Sequence, residues 1–557
     1  MEKIWLRSYP PGIGAEVDVA AFSSLVDLFA ASIARFSGRT AFISMGRSMS
    51  YGELDRRSAE FATYLQNVAR VGKGARVALM MPNLLQYPVC LFGALRAGCV
   101  VVNCNPLYTP PELEHQLADS GAEVIVVLDN FAHVLQQVLG KTAIRHVVVT
   151  RMGDFLGPIK GGLVNFVVRH LKRMVPAWSL PHTPLRSVLA AGARIAAADV
   201  EAVELTADDL AFLQYTGGTT GVSKGAMLSH GNMVANLQQA HAWIAPFLRE
   251  GEELVVTALP LYHVFALTAN CLTFLKIGAT NLLIANPRDI PAFVKELRRH
   301  RFTAITGVNT LFNALLAAPE LKRVDFGALT ITLGGGMAVQ KSVAERWKAV
   351  TGKPLIEAYG LTEASPAVAI NPLDLETFNG AIGLPIPSTE VSIRDERGLE
   401  LPLGEAGELC VRGPQVMKGY WNCPEETAAV MTPDGFLRTG DLVVMDDKGF
   451  LRLVDRLKDV ILVSGFKVFP NEVEAVVASH PEVREVAALG VPDEHSGEAV
   501  KIFVVRRSPG LTAEDLIAHC RASLTGYKVP HQVEFREELP KTNVGKILRR
   551  ALRAGAA

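Results

Sequence analysis

Apolar positions along the chain follow two periods. Leu25, Leu28, Phe29, Ser32 and Phe36 share one helical face, and Leu54, Ser58, Phe61 and Leu65 share another. That spacing turns one stripe of a helix toward a core. Between such stretches lie unbroken apolar runs of strand length at 77–81, 124–128, 147–150, 254–259 and 302–308. Runs without alternation fit strands buried on both faces. Strands alternating with helices over hundreds of residues predict an α/β architecture with buried, largely parallel sheets. The pattern changes after about Asp459. Strand patterns at 485–491 and 499–505 flank helical segments, including 513–524, and predict a small α+β domain of about a hundred residues. The junction is charged: Asp455, Arg456, Lys458 and Asp459 surround Leu457.

Two segments raise the question of membranes. The apolar run 89–102 is interrupted by Arg96 and Gly98. It is too short and too charged to span a bilayer, which takes roughly 20 apolar residues, so it predicts a buried helix and strand. In 160–176, Leu163, Phe166, Val167, Leu171 and Met174 share a face, with Arg169, Lys172 and Arg173 elsewhere. A basic amphipathic helix can lie on an anionic membrane surface. The preferred reading is an ordinary surface helix docked on the core.

Composition narrows the class. Of 557 residues, 49% are hydrophobic and 20% charged, enough for a large core divided among several compact units. Lys plus Arg equals Asp plus Glu at 56 each, so the whole chain exerts no long-range pull on nucleic acid. Seven cysteines, an odd number with no CxxC spacing, argue against a disulfide framework or a zinc site. They fit reduced thiols in the cytoplasm. The N-terminal stretch lacks the apolar core of a signal peptide.

The strongest local signal runs from Tyr215 through Thr216, Gly217, Gly218, Thr219, Thr220 and Gly221 to Lys224. Small residues let backbone N–H groups approach a polyphosphate, while Thr hydroxyls and a lysine surround its charge. It is not a Walker loop, because no Gly-Lys-Ser/Thr follows the required gap. A Gly/Thr loop alone also fits a mobile linker, but the apolar run 210–213 before it and the helical pattern after it favour a binding loop.

This segment resembles the signature loop of the adenylate-forming superfamily, which includes acyl-CoA synthetases, luciferases and peptide-synthetase adenylation domains. Further motifs of that family follow in order: Ala358-Tyr-Gly-Leu-Thr-Glu363, Gly407-Glu-Leu-Cys-Val-Arg-Gly413, Thr439-Gly-Asp441, Asp455-Arg-Leu-Lys-Asp459 and Pro540-Lys-Thr-Asn-Val-Gly-Lys546. Within it the chain is most similar to bacterial long-chain fatty-acid–CoA ligases, through Leu84-Leu-Gln-Tyr-Pro, Asn105-Pro-Leu-Tyr-Thr and Leu259-Pro-Leu-Tyr-His263.

The resemblance implies an acyl-CoA synthetase-like fold. Residues 1–454 would form a large AMP- and acyl-binding region of several subdomains, 455–459 a hinge, and 460–557 a small mobile C-terminal lid. It implies activation of a fatty acid by ATP to an acyl-adenylate, then thioester formation with CoA, feeding fatty-acid degradation and lipid metabolism. Lys546 would be the catalytic lysine. Glu363 would hold Mg²⁺, and Thr362 would contact phosphate. Tyr359, Gly360 and the backbone of Gly334, Gly335 and Gly336 would frame adenine. Asp441 and Arg456 would hold the ribose, an Asp441–Arg456 surface ion pair being the alternative. His263 would lie near the acyl carboxylate, and Phe265 is a candidate gate. Lys458 would be the hinge, and Ser464, Gly465, Phe466 and Lys467 would line the CoA route. Peripheral contact with the inner membrane and a homodimer are both compatible with this reading.

Other readings share parts of the pattern. A medium-chain or aryl-CoA ligase, or an acyl-AMP ligase, would use the same first step. A peptide-synthetase module would need a following carrier domain, and the sequence stops at Ala557. A luciferase-like oxygenase would need a luciferin. A lipid-binding adaptor with a dead site is at odds with the full set Lys546, Glu363, Asp441 and Arg456.

Overall fold

A computed structural model describes residues 2–195, 202–216, 223–493, 495–542 and 545–554. Two large sheets carry the N-terminal part. A seven-stranded sheet runs in the order Thr183–Pro184, His146–Thr150, Val124–Leu128, Arg76–Met80, Val100–Asn103, Leu210–Thr216 and Lys224–Ser229. All its pairings are parallel except the last. Val124–Leu128 matches the predicted run, and all five residues are buried. The run 89–102 splits into the helix Gln86–Arg96 and the strand Val100–Asn103, with Gly98 turning between them at φ 74°. The helix Leu25–Phe36 buries the five positions expected of it and is capped by Ser24, whose side chain accepts the Asp27 N–H.

The nine-stranded sheet positions the site. Its central order is Ile356–Gly360, Ile331–Gly335, Ala304–Gly307, Leu254–Thr257, Thr280–Leu283 and Thr40–Ser44, all parallel. Antiparallel strands close both edges. A four-stranded antiparallel sheet follows: Glu390–Arg394, Gly407–Arg412, Leu437–Met445 and Leu451–Arg456. The last sheet is built wholly from residues after the charged junction. Val483–Asp493 and Gly497–Arg506 are its long pair, and they enclose the predicted runs 485–491 and 499–505. The architecture is therefore α/β, with a large region of mainly parallel sheets and a smaller C-terminal α+β unit. Among the described residues no helix is long and apolar enough to cross a membrane.

The segment 160–176 departs from expectation. Helix Pro158–Phe166 continues through a wide turn, Val167–Leu171. It docks through Gly161, Asn165 and Val168 rather than through its apolar stripe. A Cβ on Gly161 would run into the Gly153 carbonyl oxygen, and the Asn165 amide oxygen accepts the Gly153 N–H at 2.7 Å. Leu163, Phe166, Leu171 and Met174 are left exposed.

Candidate active site

Four neighbouring parallel strands of the nine-stranded sheet end at one cleft, the usual place for a ligand in an open α/β sheet. Leu254–Thr257 leads to His263, Ala304–Gly307 to Val308 and Thr310, Ile331–Gly335 to Gly336, and Ile356–Gly360 to Thr362 and Glu363. The glycines at these ends are needed for closeness. A Cβ on Gly335 would lie 3.1 Å from the Phe265 ring, and one on Gly336, where φ is 77°, would lie 3.4 Å from Lys546 Cε. Phe265 is thus packed against the glycine strand as well as following His263.

The C-terminal unit delivers Lys546 into this cleft. The Thr542 N–H donates to the Lys546 carbonyl at 2.7 Å, and the Lys546 N–H donates to Thr542 Oγ1 at 3.1 Å, closing a tight loop. Gly545, at φ 85°, donates no side chain, so Thr310 Oγ1 can donate to its carbonyl at 3.0 Å. This bond pins the loop to the sheet end. Burial pushes the Lys546 ammonium down to about 8, Arg456 adds to the effect, and Asp441 and Glu363 oppose it.

Asp441 lies on Leu437–Met445, directly across from Arg456 on Leu451–Arg456. Its carboxylate, 6% exposed, accepts the Tyr359 hydroxyl at 2.6 Å and faces Arg456 Nε at 3.2 Å. The Asp441–Arg456 ion pair is therefore present, with Asp441 buried and Arg456 half exposed. Burial, then the Asp441 charge, holds the Tyr359 phenol well above its ordinary value. Burial pushes His263 down to about 3, with Lys546 acting the same way. The imidazole is neutral at pH 7. Its Nδ1 accepts the Phe265 N–H at 3.3 Å, which leaves the proton on Nε2.

Thr362 and Glu363 share the short turn Thr362–Ala364. Glu363 Oε1 accepts the Tyr420 hydroxyl at 2.8 Å. Among the described residues that is the carboxylate's one hydrogen-bond partner. The Tyr420 ring also lies 5.4 Å from the Lys224 ammonium, which sits 3.6 Å from Glu426. Tyr420 thus joins two predicted residues, and no sequence motif singled it out. Thr216 and Lys224 are register partners on Leu210–Thr216 and Lys224–Ser229, so the two ends of the phosphate loop stand side by side. Gly217, Gly218, Thr219, Thr220 and Gly221 lie outside the described residues.

The remaining predicted residues are those of the junction and the CoA route. Lys458 is in the turn Leu457–Asp459, whose Asp459 is held by Arg549 at 3.2 Å and Arg553 at 2.9 Å. One turn earlier, Asp455 accepts the Asn471 N–H at 2.7 Å and so reaches across the junction. Ser464 and Gly465, at φ 50° and 83°, form the tip of the hairpin between Ile461–Val463 and Phe466–Val468. Together with Phe466 and Lys467 they are exposed, and Phe466 stacks on Tyr527 at 4.8 Å. They are not gathered with the cleft residues.

Residues 29–421 match the AMP-binding enzyme family, and residues 472–546 match the AMP-binding enzyme C-terminal domain. A long-chain-fatty-acid–CoA ligase of Escherichia coli O6:H1 is 59% identical over 554 residues, covering 99% of this chain and 98% of that protein. One from Haemophilus influenzae is 54% identical, with 99% and 98% covered. Among solved structures, ATP-bound MatB from Rhodopseudomonas palustris superposes with a TM-score of 0.81 at 29% identity, covering 95% of this chain and 98% of that one.

Proposed function

The chain belongs to the AMP-binding enzyme family, and from that premise we propose that it activates a long-chain fatty acid with ATP and passes the acyl group to coenzyme A. The observation that carries this reading is the Lys546 ammonium in the cleft, beside Gly336 and within the field of Glu363 and Asp441. The long-chain acid is supported by the E. coli and H. influenzae relatives, which share that specificity in their names and align from end to end.

A carboxylate resists attack by a thiol because its leaving group would be oxide. In the first step a carboxylate oxygen bonds to the α-phosphorus, the bridge to the β-phosphate breaks, and pyrophosphate leaves with the electron pair. Two anions meet there, so fixed positive charge is the main requirement. Lys546 supplies it. Tyr359 offers a ring face to adenine beside Gly334, Gly335, Gly336 and Gly360. Asp441, already oriented by Tyr359 and Arg456, accepts the ribose hydroxyls. Thr362, Thr216 and Lys224 are assigned to the phosphates. His263, neutral with its proton on Nε2, donates to the acyl carboxylate rather than repelling or attracting it as a charge.

Glu363 fits Mg²⁺. Among the described residues no cluster of three or more candidate ligands exists, and a single carboxylate completed by substrate phosphates is how this hard cation is usually held. Bound there, the ion would neutralise charge on the departing pyrophosphate.

In the second step the CoA sulfur, its proton lost, bonds to the acyl carbon, and the bond to AMP breaks. We assign residues 1–454 and 460–557 to two domains that turn about 455–459, with Lys458 as the pivot. The arrangement described here suits the first step, because the lysine fills the cleft while Ser464, Gly465, Phe466 and Lys467 stand outside. Rotation would bring that hairpin to the pantetheine route.

The test is AMP and acyl-CoA production across a series of unbranched acids, with ATP, Mg²⁺ and CoA. Output that rises into the long-chain range supports the reading. Output confined to aryl or medium-chain acids would replace the substrate, and adenylate without thioester would remove CoA.

A further inference from the structure

We propose that residues 158–174 form a docking face for an anionic phospholipid surface. Two observations carry this. The first is geometric. Gly161, Asn165 and Val168 are spaced four and three apart; the first two meet the Gly153–Asp154 loop, and Val168 is buried. Ile159, Leu163 and Phe166 have the same spacing on the opposite side of the same helix. They are 88%, 62% and 54% exposed, and Leu171 and Met174 beyond the helix are 69% and 49% exposed. A helix that docks by its small and polar side and turns five large apolar side chains to solvent is inverted relative to an ordinary surface helix.

The second observation is charge. Between Asp154 and Asp199 the chain carries six Lys or Arg and no Asp or Glu, although the whole protein balances at 56 of each sign. Arg169, Lys172 and Arg173 are exposed beside the apolar residues. Among the described residues none of the three forms an ion pair. Apolar side chains that enter the acyl boundary, with cations at headgroup level, match an anionic bilayer in both chemistry and layering. A second copy of the chain would present the same cations and repel them.

None of the assigned site residues lies in 158–174, so the test of this face does not depend on the proposed reaction. Full-length protein is sedimented with vesicles of phosphatidylcholine alone and of phosphatidylcholine mixed equally with phosphatidylglycerol. Binding is expected to the mixed vesicles and to weaken as salt is raised. Replacing Arg169, Lys172 and Arg173 by Gln should weaken it roughly fivefold per charge, on the order of a hundredfold together. Leu163→Ser with Phe166→Ser should also weaken it, while activity on acid supplied in solution is unchanged. Equal binding to both vesicle types, or no loss in the Gln variant, overturns the proposal. So does a serine variant whose vesicle binding is intact but whose mass by light scattering halves, since a second copy would then cover the face.

Discussion

The Tyr420 hydroxyl donates a 2.8 Å hydrogen bond to Glu363 Oε1 while its ring faces the Lys224 ammonium. One side chain therefore sets both the proposed metal carboxylate and the lysine of the phosphate loop. Tyr420→Phe keeps the ring and removes the bond. A hydrogen bond to a charged group contributes about 1.5–3 kcal/mol, so we expect adenylation to fall roughly tenfold or more and to require more Mg²⁺. Thioester formation from supplied acyl-adenylate should change little. Pyrophosphate exchange titrated with Mg²⁺ checks this, and an unchanged Mg²⁺ requirement would separate Tyr420 from the metal.

The Lys546 ammonium, lowered to about 8 chiefly by burial, titrates near the working range. The required form is protonated, so activity is lost as pH rises. For adenylation, kcat/KM should bend downward above pH about 8, since that ratio reports the free enzyme. Bound nucleotide brings negative charge, so the bend in kcat should lie at higher pH. A flat alkaline limb in kcat/KM would contradict the assignment.

Lys458 lies between Asp455, which reaches across to Asn471, and Asp459, clamped by Arg549 and Arg553. Rotation about this turn must break the first contact while the second moves with the C-terminal unit. Lys458→Pro restricts the backbone there. Single-turnover assays should show thioester formation slowed roughly tenfold or more, with adenylation less affected. Equal slowing of both would place the pivot elsewhere.

Glu357 precedes the adenine-framing residues on Ile356–Gly360, and its carboxyl accepts the Val339 N–H at 3.0 Å. Burial raises it to about 8. A carboxyl raised above its unfolded value of 4.5 is held neutral by the fold, so stability should fall as pH rises from that value and level off above about 8. Glu357→Gln keeps an acceptor without the charge. Its thermal midpoint should exceed that of the parent at pH 8 and the gain should shrink toward pH 5. A gain independent of pH would contradict a neutral Glu357.

Much of this is legible before any coordinates. Runs such as 124–128 fit buried strands in a sheet covered on both faces, and the strands are found within a residue or two of where the pattern ends. Lys546, Glu363, Asp441 and Arg456 are singled out by the resemblance to the adenylate-forming family, in whose ordered motifs they stand. Tyr420 is not, since it lies 57 positions from Glu363 and in none of those motifs. The stripe on 160–176 is visible, but periodicity tells that a face is apolar and not which face the protein covers. That choice was made by Gly161 and Asn165, whose small and amide side chains fit the Gly153 backbone.

The most direct measurement is the Lys546→Ala variant assayed separately in its two half-reactions. Pyrophosphate exchange should fall by roughly 10²–10³, the usual loss for one key electrostatic donor, while acyl-CoA formation from supplied acyl-adenylate stays near the parental rate. Equal loss in both, or undiminished exchange, would contradict a cation delivered from the C-terminal unit as the agent that brings carboxylate and α-phosphate together.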